Sequence, residues 1–192
     1  MGGAGVSKSQ VSRLCAEIDE RVQAFLTRPL EGAWPYLWLD ATYIRVRDSG
    51  RIVSRAVIIA VGVNEDGRRE VLGVHAGHSE AEVFWTDFLR TLADRGLRGV
   101  KLVVADDHKG LRAAARRVFD ATQQRCRVHW VRNALAHVPA KSRAAVAAML
   151  KTIFAQDNKA EAETQWDAVA DALREQQPKL GAMMDASRED VL

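Results

Sequence analysis

At two places in this sequence of 192 residues, aspartate lies within an apolar run or directly after one. Asp40 lies inside the run at residues 36–43, and Asp106 and Asp107 directly follow the run at residues 103–105. A carboxylate in such a position costs free energy unless it is paired, binds a cation or faces solvent. Aspartate is also a preferred helix cap, so each acid taken alone has an ordinary structural explanation.

The elements that would carry these acids begin with three strands. Alternating apolar and polar residues predict a strand at 36–46, a β-branched run predicts a second at 52–63, and a third follows at 70–75. Turn residues at 48–50 connect the first two strands. We therefore expect the three strands to form an antiparallel meander.

After the meander, the spacing of the apolar residues predicts helices and strands in alternation. Ser79 and Glu82 have the spacing of a capping box at the start of a helix. The later predicted elements are a strand at 100–105, a helix at 108–119, a strand at 125–128, helices at 129–137, 141–155 and 159–176, and a helix start at Ser187 and Asp190. This order predicts an α/β fold, a ribonuclease H-like mixed sheet with flanking helices, followed by further helices.

Given that order of elements, Asp40 and the aspartates at 106 and 107 are more informative when they are considered together. The first and fourth strands of a ribonuclease H-like sheet are neighbours, so Asp40 and the end of the strand at 100–105 would be close. Two nearby carboxylates repel each other unless a divalent cation neutralises them. Mg²⁺ accepts such a pair of oxygen ligands and keeps waters for substrate phosphates. The pattern therefore indicates metal-assisted phosphoryl chemistry.

Cys126 and His129 form a C-x2-H pair at the junction between a predicted strand and a helix. A zinc site needs two further ligands at suitable spacing, and the sequence contains no second pair of this kind. The residue types therefore favour core packing of Cys126 with a hydrogen-bonded His129.

Charge is distributed unevenly along the chain. Lysine and arginine number 28 against 25 aspartate and glutamate, a net charge of +3, yet residues 95–143 carry 12 basic and 3 acidic side chains. Such a block favours a nucleic-acid partner, although a solvated basic helix has the same composition. No apolar run reaches the roughly 18 residues of a membrane span. With only two cysteines, we expect a soluble intracellular protein without a membrane partner.

Three ordered blocks make the sequence resemble a known family. They are YLWLDATY at residues 36–43, VADDHKGL at 104–111 and QRCRVHWVRNAL at 124–135. These blocks are similar to those of the bacterial insertion-sequence transposases of the Mutator superfamily, and the resemblance continues to the last residue. It implies a DDE transposase, which cuts and joins DNA with a divalent metal on a ribonuclease H-like core.

The resemblance also implies roles for individual residues. Asp40 matches the first metal-binding acid and Asp106 the second, with Mg²⁺ or Mn²⁺ as the cofactor. The family usually has a small residue after the second acid, whereas this chain has Asp107, so Asp107 stays open as an alternative ligand. Cys126 and His129 match a C-x2-H motif of the family, for which a structural role is implied.

The family's third acid, a glutamate, follows an all-helical insertion. The glutamates that precede its expected position, and that we do not assign to it, are Glu161, Glu163, Glu175 and Glu189. We expect residues 1–30 to be the remnant of a helix-turn-helix DNA-binding region with its linker helix. Residues 31–138 are expected to form the catalytic core and residues 139–192 the start of the insertion. The sequence thus resembles a transposase truncated at both ends.

The implied function is metal-dependent DNA cleavage and strand transfer in the complete enzyme, with this chain inactive alone. The implied partners are element ends, target DNA, and a second copy or a full-length transposase, in the cytoplasm at the nucleoid. Basic residues expected to hold DNA phosphates are Lys109, Arg112, Arg116, Arg125 and Arg132. Two alternatives stay open: a non-catalytic DNA-binding or dimerising regulator, and a ribonuclease H-like nuclease.

Overall fold

The computed structural model describes residues 5–79 and 81–192, and this part of the chain forms a five-stranded sheet and seven α-helices. The elements are α1 (Lys8–Thr27), β1 (Tyr36–Asp48), β2 (Arg51–Val63), β3 (Arg69–Gly77), α2 (Glu82–Asp94), β4 (Leu102–Ala105), α3 (Lys109–Phe119), β5 (Thr122–Arg125), α4 (Arg127–Ala136), a 3₁₀ turn (Ala140–Ser142), α5 (Arg143–Ile153), α6 (Lys159–Arg174) and α7 (Pro178–Val191). The predicted α/β class with a mixed sheet and flanking helices is confirmed.

The sheet has the strand order β3-β2-β1-β4-β5. β1 pairs antiparallel with β2, and β2 pairs antiparallel with β3. β4 lies parallel to β1 and to β5. The β1–β2 turn contains Ser49 and Gly50 at φ of 50° and 80°, and positive φ at both central positions is typical of a type I′ hairpin turn. The predicted antiparallel meander is therefore confirmed.

One face of the sheet is closed by α2 and α3. Leu37 and Leu39 of β1 point to this face, because alternate residues of a strand share a face, and both are buried. They belong to one hydrophobic cluster with Leu92 of α2 and Leu111 of α3. This layer holds β1 and β4, the two strands that carry or precede the acids identified in the sequence.

A second hydrophobic cluster joins α4 to the later helices. Trp130 of α4 and Trp166 of α6 are both buried, with their ring centroids 4.8 Å apart. Trp130 Nε1 donates a hydrogen bond to Ser187 Oγ of α7 at 2.7 Å. The packing of α4 with α5–α7 therefore begins inside the segment that the sequence analysis assigned to the catalytic core.

Three boundaries predicted from the sequence were wrong. The last strand ends at Arg125, where 125–128 was predicted, because pairing with β4 aligns Thr122 with Leu102. α2 has Ala81 as its N-cap without a side-chain hydrogen bond, so Ser79 does not begin it. Ser187 lies inside α7, which begins with a proline in its first turn, a position that suits proline because its missing N–H needs no partner there.

The first helix, α1, buries none of its residues. A capping box begins it, since the Ser7 hydroxyl accepts from the Gln10 N–H and the Gln10 side chain accepts from the Ser7 N–H. Arg95 donates hydrogen bonds to the carbonyls of Phe25 and Arg28 and so ties the end of α1 to the sheet domain. Among the described residues, no helix combines the length and the apolar character that crossing a membrane requires.

Candidate functional site

The register of two parallel strands brings the predicted acids to one edge of the sheet. β1 and β4 pair from Tyr36 opposite Leu102 to Trp38 opposite Val104. Continuing this register by two residues aligns Asp40 with Asp106. Asp106 directly follows β4, which ends at Ala105, whereas Asp40 lies within β1, two residues beyond the last residue that pairs with β4. The carboxyl end of a parallel strand such as β4 is where α/β sheets collect ligand sites.

Asp40 lies on the face of β1 opposite the buried leucines and is 56% exposed. One of its carboxylate oxygens accepts the backbone N–H of Ala41 at 2.9 Å. His129 approaches the same oxygen, with its Nε2 atom 3.8 Å from Asp40 Oδ1. The exposure and the free oxygen leave this carboxylate accessible to an additional ligand.

Asp106 and Asp107 are distinguished by their partners. Asp107 accepts a hydrogen bond from Arg112 at 3.0 Å, and Arg125 lies 3.6 Å from its other oxygen. Asp106 has a more distant cation, with Arg125 Nε at 3.9 Å, and accepts the N–H of Asp107 at 2.8 Å. Asp107 is therefore neutralised within the protein, whereas the Asp106 carboxylate keeps most of its capacity for a metal ion.

Arg112 of α3 links the segment at Asp106 and Asp107 to α7, one of the helices of the second hydrophobic cluster. Its two terminal nitrogens each donate to an oxygen of Asp190 in α7 at 3.0 Å. Hydrogen bonding from Arg112 lowers the pKa of Asp190, and hydrogen bonding to Asp190 raises the pKa of the Arg112 guanidinium. Asp190 was not predicted as a site residue, because its nearness to Arg112 arises only when α7 packs beside β5.

The C-x2-H pair lies across the same edge of the sheet. The Cys126 N–H donates to the carbonyl of Ala105 at 2.6 Å, which fixes the start of α4 to the end of β4. His129 follows one turn later, and its Nδ1 atom is buried without a hydrogen-bond partner in the described structure. The C-x2-H motif predicted a structural role for this histidine, and its approach to Asp40 was not predicted. Its helical spacing from Cys126 was visible in the sequence, but the location of α4 was not.

The donor set limits which metal the site could hold. No group of three or more histidine, cysteine, aspartate or glutamate side chains with metal-binding geometry occurs within residues 5–79 and 81–192. A zinc site made wholly of protein ligands is therefore not formed by these residues. Two carboxylates with open solvent access suit Mg²⁺, which binds through one or two carboxylates and retains several waters.

A groove of about 700 Å³ lies beside the acids on the open face of the sheet. Trp38 of β1 and Val104 of β4 form part of its floor, two residues before Asp40 and Asp106. The Arg69 guanidinium lies 6.0 Å from the centre of the Trp38 ring. The other basic residues that line the groove are Arg125, Arg127 and Lys159. The groove is therefore lined by several cations and by one acid, Asp157, while Asp40 and Asp106 lie outside its lining.

The five predicted DNA-binding residues fall into two groups. Lys109 and Arg116 on α3 and Arg132 on α4 are exposed. Arg112 is held by two carboxylates, and the side chain of Arg125 is only 11% exposed between Asp106 and Asp107. The first group is available to an external polyanion, whereas the second neutralises charges inside the protein.

Comparison with known proteins gives consistent matches along the whole chain. The family model described as "Transposase, Mutator family" matches residues 1–192. The chain is 41% identical over 194 residues to the transposase for insertion sequence element IS1081 of Mycobacterium tuberculosis, covering 100% of this chain and 47% of that protein. It is 46% identical over 189 residues to the transposase for IS406 of Burkholderia multivorans, covering 97% and 48%. The chain thus spans about half the length of these relatives.

A solved structure gives a much weaker match. A chain of the simian T-cell lymphotropic virus intasome, in complex with PP2A regulatory subunit B56 gamma, aligns with a TM-score of 0.33 and 11% identity. The alignment covers 66% of this chain and 51% of that chain. A score this low assigns no fold.

Proposed function

The chain belongs to the Mutator family of transposases, and on that premise we propose that it carries part of the catalytic centre of an insertion-sequence transposase. The curated relatives are named as transposases for insertion sequence elements. In this proposal the complete protein acts on the DNA of such an element. The chain described here contributes the mixed sheet and the first helices that follow it.

The β1–β4 register is the observation that carries the proposal. Continued for two residues past its last pair, Trp38 opposite Val104, this register would align Asp40 of β1 with Asp106 at the end of β4, although the two residues are far apart in the sequence. The strand order β3-β2-β1-β4-β5, with three antiparallel strands followed by two parallel ones, supports assignment to the ribonuclease H-like fold. In that fold we assign Asp40 and Asp106 as the first two acids of a DDE centre.

We assign Mg²⁺ or Mn²⁺ as the cofactor, held by Asp40 and Asp106 with water in the remaining positions. A divalent ion there would supply charge stabilisation for in-line displacement at a phosphodiester. His129 lies beside the Asp40 carboxylate, with Nε2 3.8 Å from Oδ1, and in this proposal it helps to position that carboxylate. Arg112 holds Asp107 in an internal ion pair, which favours Asp106 as the second ligand.

We further propose that Lys109, Arg116 and Arg132 contact DNA phosphates, because they are exposed and because phosphate contacts set the position of a duplex. Arg112 and Arg125 act instead on the carboxylates around the site. A second copy or a full-length relative would complete the assembly at the nucleoid. Since the described residues form no group of three or more side chains that could hold a metal ion, we expect this chain alone to bind DNA without strand transfer.

Metal binding by the purified chain tests the catalytic assignment. We expect Asp40→Asn and Asp106→Asn each to weaken Mn²⁺ binding, followed by electron paramagnetic resonance, at least about tenfold, because each removes a charged ligand. Asp107→Asn is the matched control and should change the affinity little. Equal losses in the Asp106 and Asp107 variants, or no loss in any of the three, would contradict the assignment.

A non-catalytic DNA-binding or dimerising regulator is the second candidate. It is favoured by the exposed apolar stripe on α1, formed by Val11, Leu14, Ile18 and Val22. This candidate predicts DNA binding that weakens with salt and is independent of Mn²⁺. The catalytic assignment instead predicts a metal affinity that depends on Asp40 and Asp106.

A further inference from the structure

Two strands of the sheet extend beyond the others and form an isolated ribbon. β4 pairs with β1 only up to Trp38, and β3 pairs with β2 only from Ala56 onwards. Residues 44–48 and 51–55 therefore pair with each other alone, from Ile44 opposite Arg55 to the tight turn. We call residues 44–55 the ribbon. It is five residue pairs long, or roughly 17 Å at the usual rise per residue.

The ribbon carries an excess of positive charge. It contains four arginines and one aspartate. Arg55 forms an ion pair with Asp48, so the single acid of the ribbon is already neutralised. The remaining arginines, Arg45, Arg47 and Arg51, are exposed, and the described part of the chain offers none of them an acidic partner. Three uncompensated cations on so short an element favour a polyanionic partner.

The arginines occupy both faces of the ribbon. Arg45 and Arg47 share one face because they are two residues apart on β1. Arg51 is paired with Asp48 and therefore lies on the other face. A flat acidic surface would meet only one of these faces. A nucleic-acid groove has phosphates along both walls and meets both.

The dimensions and location of the ribbon agree with a duplex partner. The major groove of B-DNA is about 12 Å wide and admits a two-stranded β-ribbon. Arg45 follows Asp40 by five residues on the same strand, a separation of roughly 17 Å along β1, and lies on the other face of the strand, whereas Arg51, opposite Asp48, shares the face of Asp40. One turn of duplex extends about 34 Å, so DNA held at Asp40 would also reach the ribbon.

We propose that the ribbon enters the major groove of duplex DNA, with Arg45, Arg47 and Arg51 binding phosphates on its two walls. This inference rests on the proposed function, because it assumes that DNA lies at Asp40 and Asp106. It adds a DNA contact outside the basic block that the sequence analysis identified at residues 95–143.

Anisotropy of a fluorescein-labelled DNA duplex of mixed sequence, measured over a sodium chloride series, tests the ribbon directly. We expect Arg45→Ala/Arg47→Ala to weaken binding about tenfold or more and to reduce the salt slope by about 1.8, since each lost phosphate contact removes about 0.9. The matched control is Arg90→Ala/Lys179→Ala, which removes the same charge from exposed positions outside both the ribbon and the basic block and should bind as the wild type. Arg45→Lys/Arg47→Lys should restore most of the affinity.

Dimethyl sulfate footprinting on the same duplex identifies the groove, because guanine N7 lies in the major groove and adenine N3 in the minor groove. Wild-type chain should protect guanine N7, and the ribbon variant should lose that protection. The proposal is overturned if the ribbon variant matches its control, if only adenine N3 is protected, or if the wild-type chain binds no DNA.

The Mn²⁺ measurement separates this inference from the proposed function. Normal metal binding with DNA binding that is independent of the ribbon would reject the ribbon alone. Ribbon-dependent DNA binding without a metal site at Asp40 and Asp106 would reject the catalytic assignment and leave the ribbon as a DNA-binding element.

Discussion

The two faces of β1 differ sharply although they are built from alternating residues of one strand. Leu37 and Leu39 are 0% and 2% exposed beneath α2 and α3. Trp38 lies between the two leucines and is half-buried in a groove. Asp40 follows Leu39 and is largely exposed. The closed face therefore supplies stability, whereas the open face presents groups that are able to bind something else.

The difference shows why stability and chemistry separate on this sheet. Apolar side chains gain free energy only when a helix layer removes them from water. A carboxylate intended for a metal ion must remain accessible, and burying it without a partner would cost several kcal/mol. The alternation of strand side chains meets both requirements within four consecutive residues.

Adjacent substitutions on opposite faces should give the largest contrast. We expect Leu39→Ala to lower the free energy of unfolding by about 2–5 kcal/mol, because it removes buried contacts and leaves a cavity. Asp40→Ala should change it by no more than about 0.5 kcal/mol. Urea unfolding followed by circular dichroism measures both. A similar loss in the two variants would show that the faces do not differ in this way.

Adding a methyl group to the closed face should have a smaller effect. A Cβ atom at Gly73 of β3 would lie 2.8 Å from Leu92 Cδ2 and 3.3 Å from Phe88 Cε2 of α2. Gly73→Ala should therefore destabilise the protein by about 1–3 kcal/mol through overpacking. Ser54→Ala on the exposed ribbon is the control, and its melting temperature in thermal unfolding should be close to that of the wild type. An unchanged melting temperature for Gly73→Ala would show that Leu92 and Phe88 of α2 move aside at little cost in free energy.

The ion pair between Arg112 and Asp190 should contribute least. Both side chains are more than a third exposed, so solvent screening reduces the interaction to about 1 kcal/mol. A double-mutant cycle with Arg112→Ala and Asp190→Asn, measured by urea unfolding, should give a coupling free energy of that size. If the changes in unfolding free energy of the two single variants simply add in the double variant, the contact does not help to hold α7 beside the open face.

The same pair should produce a pH dependence of defined sign. The pKa of Asp190 is lowered in the folded protein by hydrogen bonding to Arg112, from an ordinary value of 3.8. Its contribution to stability is therefore present above pH 3.8 and is lost as the pH falls towards the folded-state value. The difference in unfolding free energy between wild type and Asp190→Asn should shrink over that range. A difference that stays constant with pH would contradict the contact.

Much of the fold was predictable because it depends on local patterns. The turn at residues 48–50 was predicted from residues close together in the sequence, and it is confirmed by the positive φ angles of Ser49 and Gly50. β5 was misplaced because its sequence, TQQR, has little apolar character and its pairing with β4 decides its position. Membership of the Mutator family, recognised from three motif blocks, is confirmed by the family match.

The candidate site was predictable only as a list of residues. Asp40, Asp106 and His129 could be selected from their motifs, but the approach of His129 to Asp40 and the pairing of Asp107 with Arg112 required the packed structure. Their roles as metal ligands and DNA contacts stay predictions. The ribbon was missed because its arginines lie outside the basic block and become distinctive only where neighbouring strands end.

The sequence by itself determined most of the elements, the family and the candidate acids Asp40 and Asp106, since each depends on residues near one another along the chain. Only the tertiary structure decided which acids are neutralised, which arginines stay free and which face of the sheet remains open. These properties depend on contacts between segments as distant as Arg112 and Asp190. Such contacts form only when the helical cluster packs against the sheet, and no local pattern records them.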